Sequence, residues 1–171
     1  MAVEQRVRRK RILREAEGYL ELGMPQHALA ALSRLDRESS GRSDALYLEG
    51  EALRSLGRYG EALVPLEAAA DVAPSNVHIW LALAWCYKRT NQLPRAIEAL
   101  EQARDVDPDD ALLLYNLACY WSLAGEVEQA VDYLGRAFER DPNYRELVAD
   151  ESDFDPIRNR PEFQALLTII V

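Results

Sequence analysis

The sequence predicts an all-α chain of four helix pairs stacked as a right-handed solenoid and closed by a capping helix. Three observations carry this. Shifting residues 77–110, VHIWLALAWCYKRTNQLPRAIEALEQARDVDPDD, by 34 positions in either direction lands on a recognisable copy of the same segment. Within it, Trp80, Leu83, Ala84 and Tyr87 fall at helical spacing, Asn91 breaks the pattern, and Ala96, Leu100 and Ala103 resume it until Pro108, which reads as helix, turn, helix. The copies run without gaps from 9 to 42, 43 to 76, 77 to 110 and 111 to 144. A fixed period of this length marks a repeat architecture in which each pair buries its apolar faces against its neighbours.

The alignment of the copies explains why pairs pack. Ala16, Gly50, Ala84 and Ala118 occupy one place in each first helix, and Ala28, Ala62, Ala96 and Ala130 one place in each second helix. Small residues at crossing points let helix axes approach to about 8–10 Å. Leu32, Leu66, Leu100 and Leu134 keep the same step, as do Leu35, Ala69, Ala103 and Ala137, and Pro74, Pro108 and Pro142 close the last three copies.

Element by element, residues 1–22 read as one helix entering through a basic segment. Gly23, Met24 and Pro25 make a turn, and the second helix runs to about Asp36. The linker RESSGRSD, 37–44, is the weakest junction, since Ser40 stands where later copies have proline. Helices follow near 43–56 and 59–71, turning at Gly57, with Pro65 expected to bend the second or lie near its start. The third copy turns at Asn91, which tolerates left-handed geometry. The fourth gives helices near 111–124 and 127–139 around Gly125. Residues 145–171 leave the period. There Phe154, Asp155 and Pro156 suggest an irregular link, and Phe163, Leu166, Leu167 and Ile170 lie on one helical face, as a cap over the last repeat requires. The whole of 1–171, including a basic extension at 1–8, is expected to form a single domain.

These positions resemble the tetratricopeptide repeat, whose W-x2-L-G-x2-Y, A-x3-F and terminal P pattern they meet with ordinary substitutions over residues 9–144. The DFDPIRNRPEFQALL stretch is similar to the closing module of many bacterial arrays, and eighteen Arg against two Lys point to a GC-rich genome. The resemblance implies a concave wall built from the first helices. Carried onto this chain, it implies that Tyr47, Leu48, Arg54, His78, Leu81, Trp85, Lys88, Arg89, Tyr115 and Asn116 form a partner-binding surface. Aromatic anchors and exposed apolar strips mark such surfaces. Arg54, Lys88 and Arg89 at its edge imply a protein or peptide partner with apolar side chains and an acidic group. The two-carboxylate clamp for chaperone C-termini is not implied: its fifth-place Lys is replaced by Leu13, Tyr47, Leu81 and Tyr115, and only Asn116 matches.

Composition narrows the rest. Net charge is -9, yet residues 1–14 are net +5 and residues 101–155 net -11, a field that repels nucleic-acid phosphates over most of the chain. The run Arg6, Arg8, Arg9, Lys10, Arg11 and Arg14 reads as a solvated entry turn, with an anionic contact as its alternative. Cys86 and Cys119, each amid apolar neighbours, read as reduced core or wall residues. No apolar run is long enough for a membrane span, and charges cross the place where a signal peptide needs its apolar core; a cytoplasmic protein is expected. His27 and His78 lie in different repeats with no ligand-spaced partner, and DVDPDD, 105–110, lacks the glycine and final glutamate of a calcium loop. No catalytic residue, metal site or cofactor is expected. The function expected is therefore a non-catalytic scaffold holding a partner in its groove. Self-assembly through LLTIIV or an open repeat face, and a secretion-type chaperone, are the alternatives.

Overall fold

The computed structural model describes residues 2–168, and no strand occurs among them. Two compact units divide the chain, Met1–Asn91 and Gln92–Val171.

The first unit holds α1 (Ala2–Glu21), α2 (Pro25–Leu32), a short α3 (Arg37–Ser40), α4 (Ser43–Ser55), α5 (Tyr59–Val72) and α6 (Val77–Arg89). α1 packs on α2 and α4, α4 on α5, and α6 on both α4 and α5. The repeat signature residues make these interfaces: Ala16, Ala28, Ala62, Leu66 and Ala69 are fully buried. Gly50 permits a close approach of α5, since a Cβ there would meet Leu66 Cγ at 2.4 Å. Tyr87 adds a polar tie, its hydroxyl donating to Glu67 Oε1 at 2.7 Å.

The second unit holds α7 (Leu93–Val106), α8 (Ala111–Leu123), α9 (Val127–Arg140), α10 (Tyr144–Leu147), a 3-10 helix η1 (Ser152–Ile157) and α11 (Pro161–Thr168). α8 packs between α7 and α9 and also against η1, while α10 and α11 lie on α9. Asp110, at the end of the acidic junction, caps α8 by accepting from the amides of Leu112 and Leu113 at 2.8 and 3.3 Å; its carboxylate thereby satisfies two orphan donors. The irregular link expected around Phe154 is η1, and the cap is three short helices rather than one. Ile170 and the end of LLTIIV lie outside the described residues.

The turns repeat as faithfully as the helices. Gly23, Gly57, Asn91 and Gly125, 34 residues apart, all have positive φ, from 60° to 79°. At Gly57 the amide donates to the Arg54 carbonyl at 2.9 Å and the next amide, Arg58, to Leu53 at 3.0 Å, the paired closure that ends a helix on a left-handed residue.

One boundary differs from expectation. α2 ends at Leu32 rather than near Asp36. Ser33 turns its hydroxyl onto the Ala30 carbonyl, 2.8 Å away, and Asp36 starts α3 by accepting from the Ser39 amide at 2.8 Å. Both are local side-chain bonds that compete with continued helix. Pro65, seventh residue of α5, is buried without interrupting it.

Candidate peptide-binding face

In the first unit the face is made by α4 and α6, the first helices of repeats two and three. α6 begins where Asn76 Oδ1 accepts from the His78 amide at 3.1 Å. From there, His78, Leu81, Trp85, Lys88 and Arg89 follow at spacings that hold them to one side of the helix. Trp85 is 42% exposed, a large apolar side chain left open to solvent. Lys88 Nζ stands 5.8 Å from its ring centroid, within cation–π range, and Leu81 is half-buried one turn earlier. His78 is exposed at the start of the helix.

Across from it on α4, Tyr47 is half-buried. Burial first, then the Glu51 carboxylate, raises its phenol pKa, opposed by Arg54. Arg54 forks onto Glu51, Nε donating to Oε1 and Nη2 to Oε2, both at 2.8 Å, and this hydrogen-bonded pairing holds the guanidinium protonated. Arg54 is therefore matched from within its own helix. Sequence spacing carried this signal, since residues three apart are neighbours on a helix. Arg89 Cζ lies 5.0 Å from the Tyr59 ring centroid, a contact no local pattern announces. Beneath the face, burial pushes the Cys86 thiol up to about 11, with Arg54 opposing it.

Two expected members of the face are withdrawn by packing. Leu48, 7% exposed, belongs to the core with Leu13, Ala16, Ala28 and Ala52. In the second unit Tyr115 is 5% exposed: Tyr144 and Phe154 cover it, ring centroids 4.7 and 5.7 Å away. Cys119, two per cent exposed, is buried too. Ser122, fully buried, donates its hydroxyl to the Asp153 carbonyl at 2.7 Å. Tyr115, Cys119 and Ser122 are the fourth-repeat counterparts of Leu81, Trp85 and Lys88, so the C-terminal segment occupies on α8 the side that α6 leaves open. Asn116 remains partly exposed at its edge. The Tyr115 hydroxyl is buried with no hydrogen-bond partner, and that burial raises its pKa.

No three His, Cys, Asp or Glu side chains gather as metal ligands among the described residues, and no helix there is long and apolar enough to cross a membrane. Cys86 and Cys119 are both buried and are not joined in a disulfide.

Comparison with known proteins bears on the same helices. Two tetratricopeptide-repeat family models match, one over residues 13–76 and the other over 53–118. The chain belongs to the tetratricopeptide-repeat family. Solved structures share the fold of this repeat protein. MamA is 20% identical with a TM-score of 0.74, covering 81% of each chain. TTC0263, a thermophilic repeat protein of Thermus thermophilus, is 21% identical with a TM-score of 0.67, covering 92% of this chain and 94% of that one. YrrB, described as a repeat protein with an unusual peptide-binding site, is 20% identical with a TM-score of 0.69, covering 75% and 66%. Among curated proteins, the phagocyte signaling-impaired protein of Drosophila pseudoobscura pseudoobscura is 34% identical over 89 residues. That match takes in 52% of this repeat protein but spans only 9% of its relative.

Proposed function

We propose that the chain is a non-catalytic scaffold that holds a peptide segment of a partner protein against α4 and α6. The observation that carries this is Trp85, 42% exposed on α6 while its counterpart on α8 is sealed by the chain's own tail. A solvent-exposed tryptophan flanked by Leu81 and Lys88 offers a rigid aromatic anchor, and truncating an anchor of this kind costs about 2 kcal/mol or more of binding. The partner's acidic group is assigned to the cationic last turn of α6, at Lys88 and Arg89, with Tyr47 and Leu81 lining the apolar part. YrrB, with its peptide-binding site on the same fold, supports this reading.

The test is capture of partners from native lysate by wild type, Trp85→Ala and Val64→Ala, after equal helicity is established by circular dichroism. Val64 is an apolar residue on α5 that is even more exposed, at 71%. Loss of a captured protein with Trp85→Ala alone supports the face; equal capture by all three contradicts it.

A further inference from the structure

We propose that α1 presents a second docking surface, whose occupant is the acidic face of the second unit of another copy of this chain. Val3, Val7, Lys10 and Arg14 recur at spacings of four, three and four, so one stripe of α1 carries them all. All four are exposed, Val3 at 77% and Val7 at 61%, and exposed Arg6 and Arg11 flank them. The opposite side of the helix is committed to the fold. Ile12, Leu13 and Ala16 are buried there, Arg9 reaches Asp44 at 3.0 Å, and Arg8 donates to the Arg34 carbonyl at 3.2 Å. Among the described residues, Arg6, Lys10, Arg11 and Arg14 make no salt bridge. This basic stripe is therefore surplus to packing.

The complement is in the same sequence. Residues 101–155 are net -11. Part of that charge is neutralised locally, Asp105 and Glu101 by Arg104, Asp109 by Arg140 and Asp132 by Arg136. Elsewhere it is not: Asp107 just after α7, Glu146 on α10 and Asp150 beyond it are exposed and make no salt bridge among the described residues. Asp110 and Asp141 stand close enough to add to the burial that raises the Tyr144 phenol pKa. The same unit exposes Leu147 at 54% and Leu112 at 43%, apolar counterparts for Val3 and Val7. Opposite charges around small apolar contacts steer two surfaces together and fix their register. Nothing comparable favours a lipid surface, since the stripe carries no aromatic or long apolar side chain to enter it. A contact between unlike surfaces of identical chains is head-to-tail, and it extends unless the rotation closes a ring.

Sedimentation velocity of the full chain, at rising concentration in about 20 mM and then about 200 mM salt, tests this, because screening lengths shorten over that range. The association is expected at low salt and weakened about tenfold or more at high salt. One variant reverses α1 (Arg6→Glu, Lys10→Glu, Arg14→Glu) and another the acidic patch (Asp107→Lys, Glu146→Lys, Asp150→Lys). Each alone is expected to stay monomeric, since its two surfaces then share a sign, and the equimolar mixture to associate again. A wild type that is monomeric at low salt overturns the proposal. So does association that survives α1 reversal, which would place self-contact elsewhere, or a mixture that fails to re-form. Wild-type binding to phosphatidylserine vesicles without self-association would transfer the stripe to a membrane role and equally overturn it.

Discussion

Replacing Gly50 with alanine sets two physical effects against each other. Alanine stands at this place in the other three repeats, as Ala16, Ala84 and Ala118, and helix propensity alone favours Gly→Ala by about 1 kcal/mol. A Cβ at residue 50, however, would lie 2.4 Å from Leu66 Cγ and 2.6 Å from Cδ2. Leu66 is fully buried, so Cγ can clear the new methyl only if a packed rotamer or the α4–α5 spacing shifts. Overpacking of this kind costs about 1–3 kcal/mol. The balance predicts that G50A lowers stability by about 1 kcal/mol in urea unfolding followed by circular dichroism. In a Leu66→Ala background the obstruction is gone. There the same G50A change should stabilise by about 1 kcal/mol, a coupling of about 2 kcal/mol in the double-mutant cycle. Stabilisation by G50A in both backgrounds, with no coupling, would refute the reasoning that α5 meets the α4 backbone through Leu66.

Further outcomes follow from individual contacts. Gly57→Ala has open space around its Cβ but must hold φ at 73°, so it should cost about 1–2 kcal/mol in the same urea assay. Tyr115→Phe removes a buried hydroxyl without a partner and should leave stability unchanged or raise it by about 1 kcal/mol. The Cys86 thiol, pushed up to about 11 by burial, should be thiolate in only about one molecule in a thousand at pH 8 and react with Ellman's reagent chiefly upon unfolding. The phenols of Tyr47, Tyr115, Tyr133 and Tyr144 are all raised, by burial first. A raised folded-state pKa gives stability that is complete below the unfolded value, about 10 for tyrosine. The urea midpoint should therefore decline as pH rises beyond about 10, and the Tyr115→Phe variant should decline less.

What was legible in the sequence was whatever depends on the repeat's own geometry. Buried alanines at 28, 62, 96 and 130 and left-handed turns at 23, 57, 91 and 125 recur at 34 residues because every pair must solve one packing problem. The early end of α2 was less legible, since Ser33 and Asp36 compete locally with the helix; the missing proline at Ser40 marked that junction without saying where the helix stops. The face was half legible. Period assigns Trp85 and Tyr115 to related sides of α6 and α8, but it is silent on long-range cover. Phe154, 39 residues beyond Tyr115, seals one and nothing in its own repeat announces it. Leu48 faces the core because α4 must meet α1 and α2, which turns that residue inward.

The central claim is that the exposed side of α6 receives a partner peptide. A photo-crosslinking amino acid placed at residue 85, compared with one at residue 64 on α5, tests it most directly in the native host lysate. The account predicts a discrete adduct from position 85, suppressed by charge reversal at Lys88 and absent from position 64. Adducts of equal yield and identity from both positions, or from position 64 alone, would contradict it.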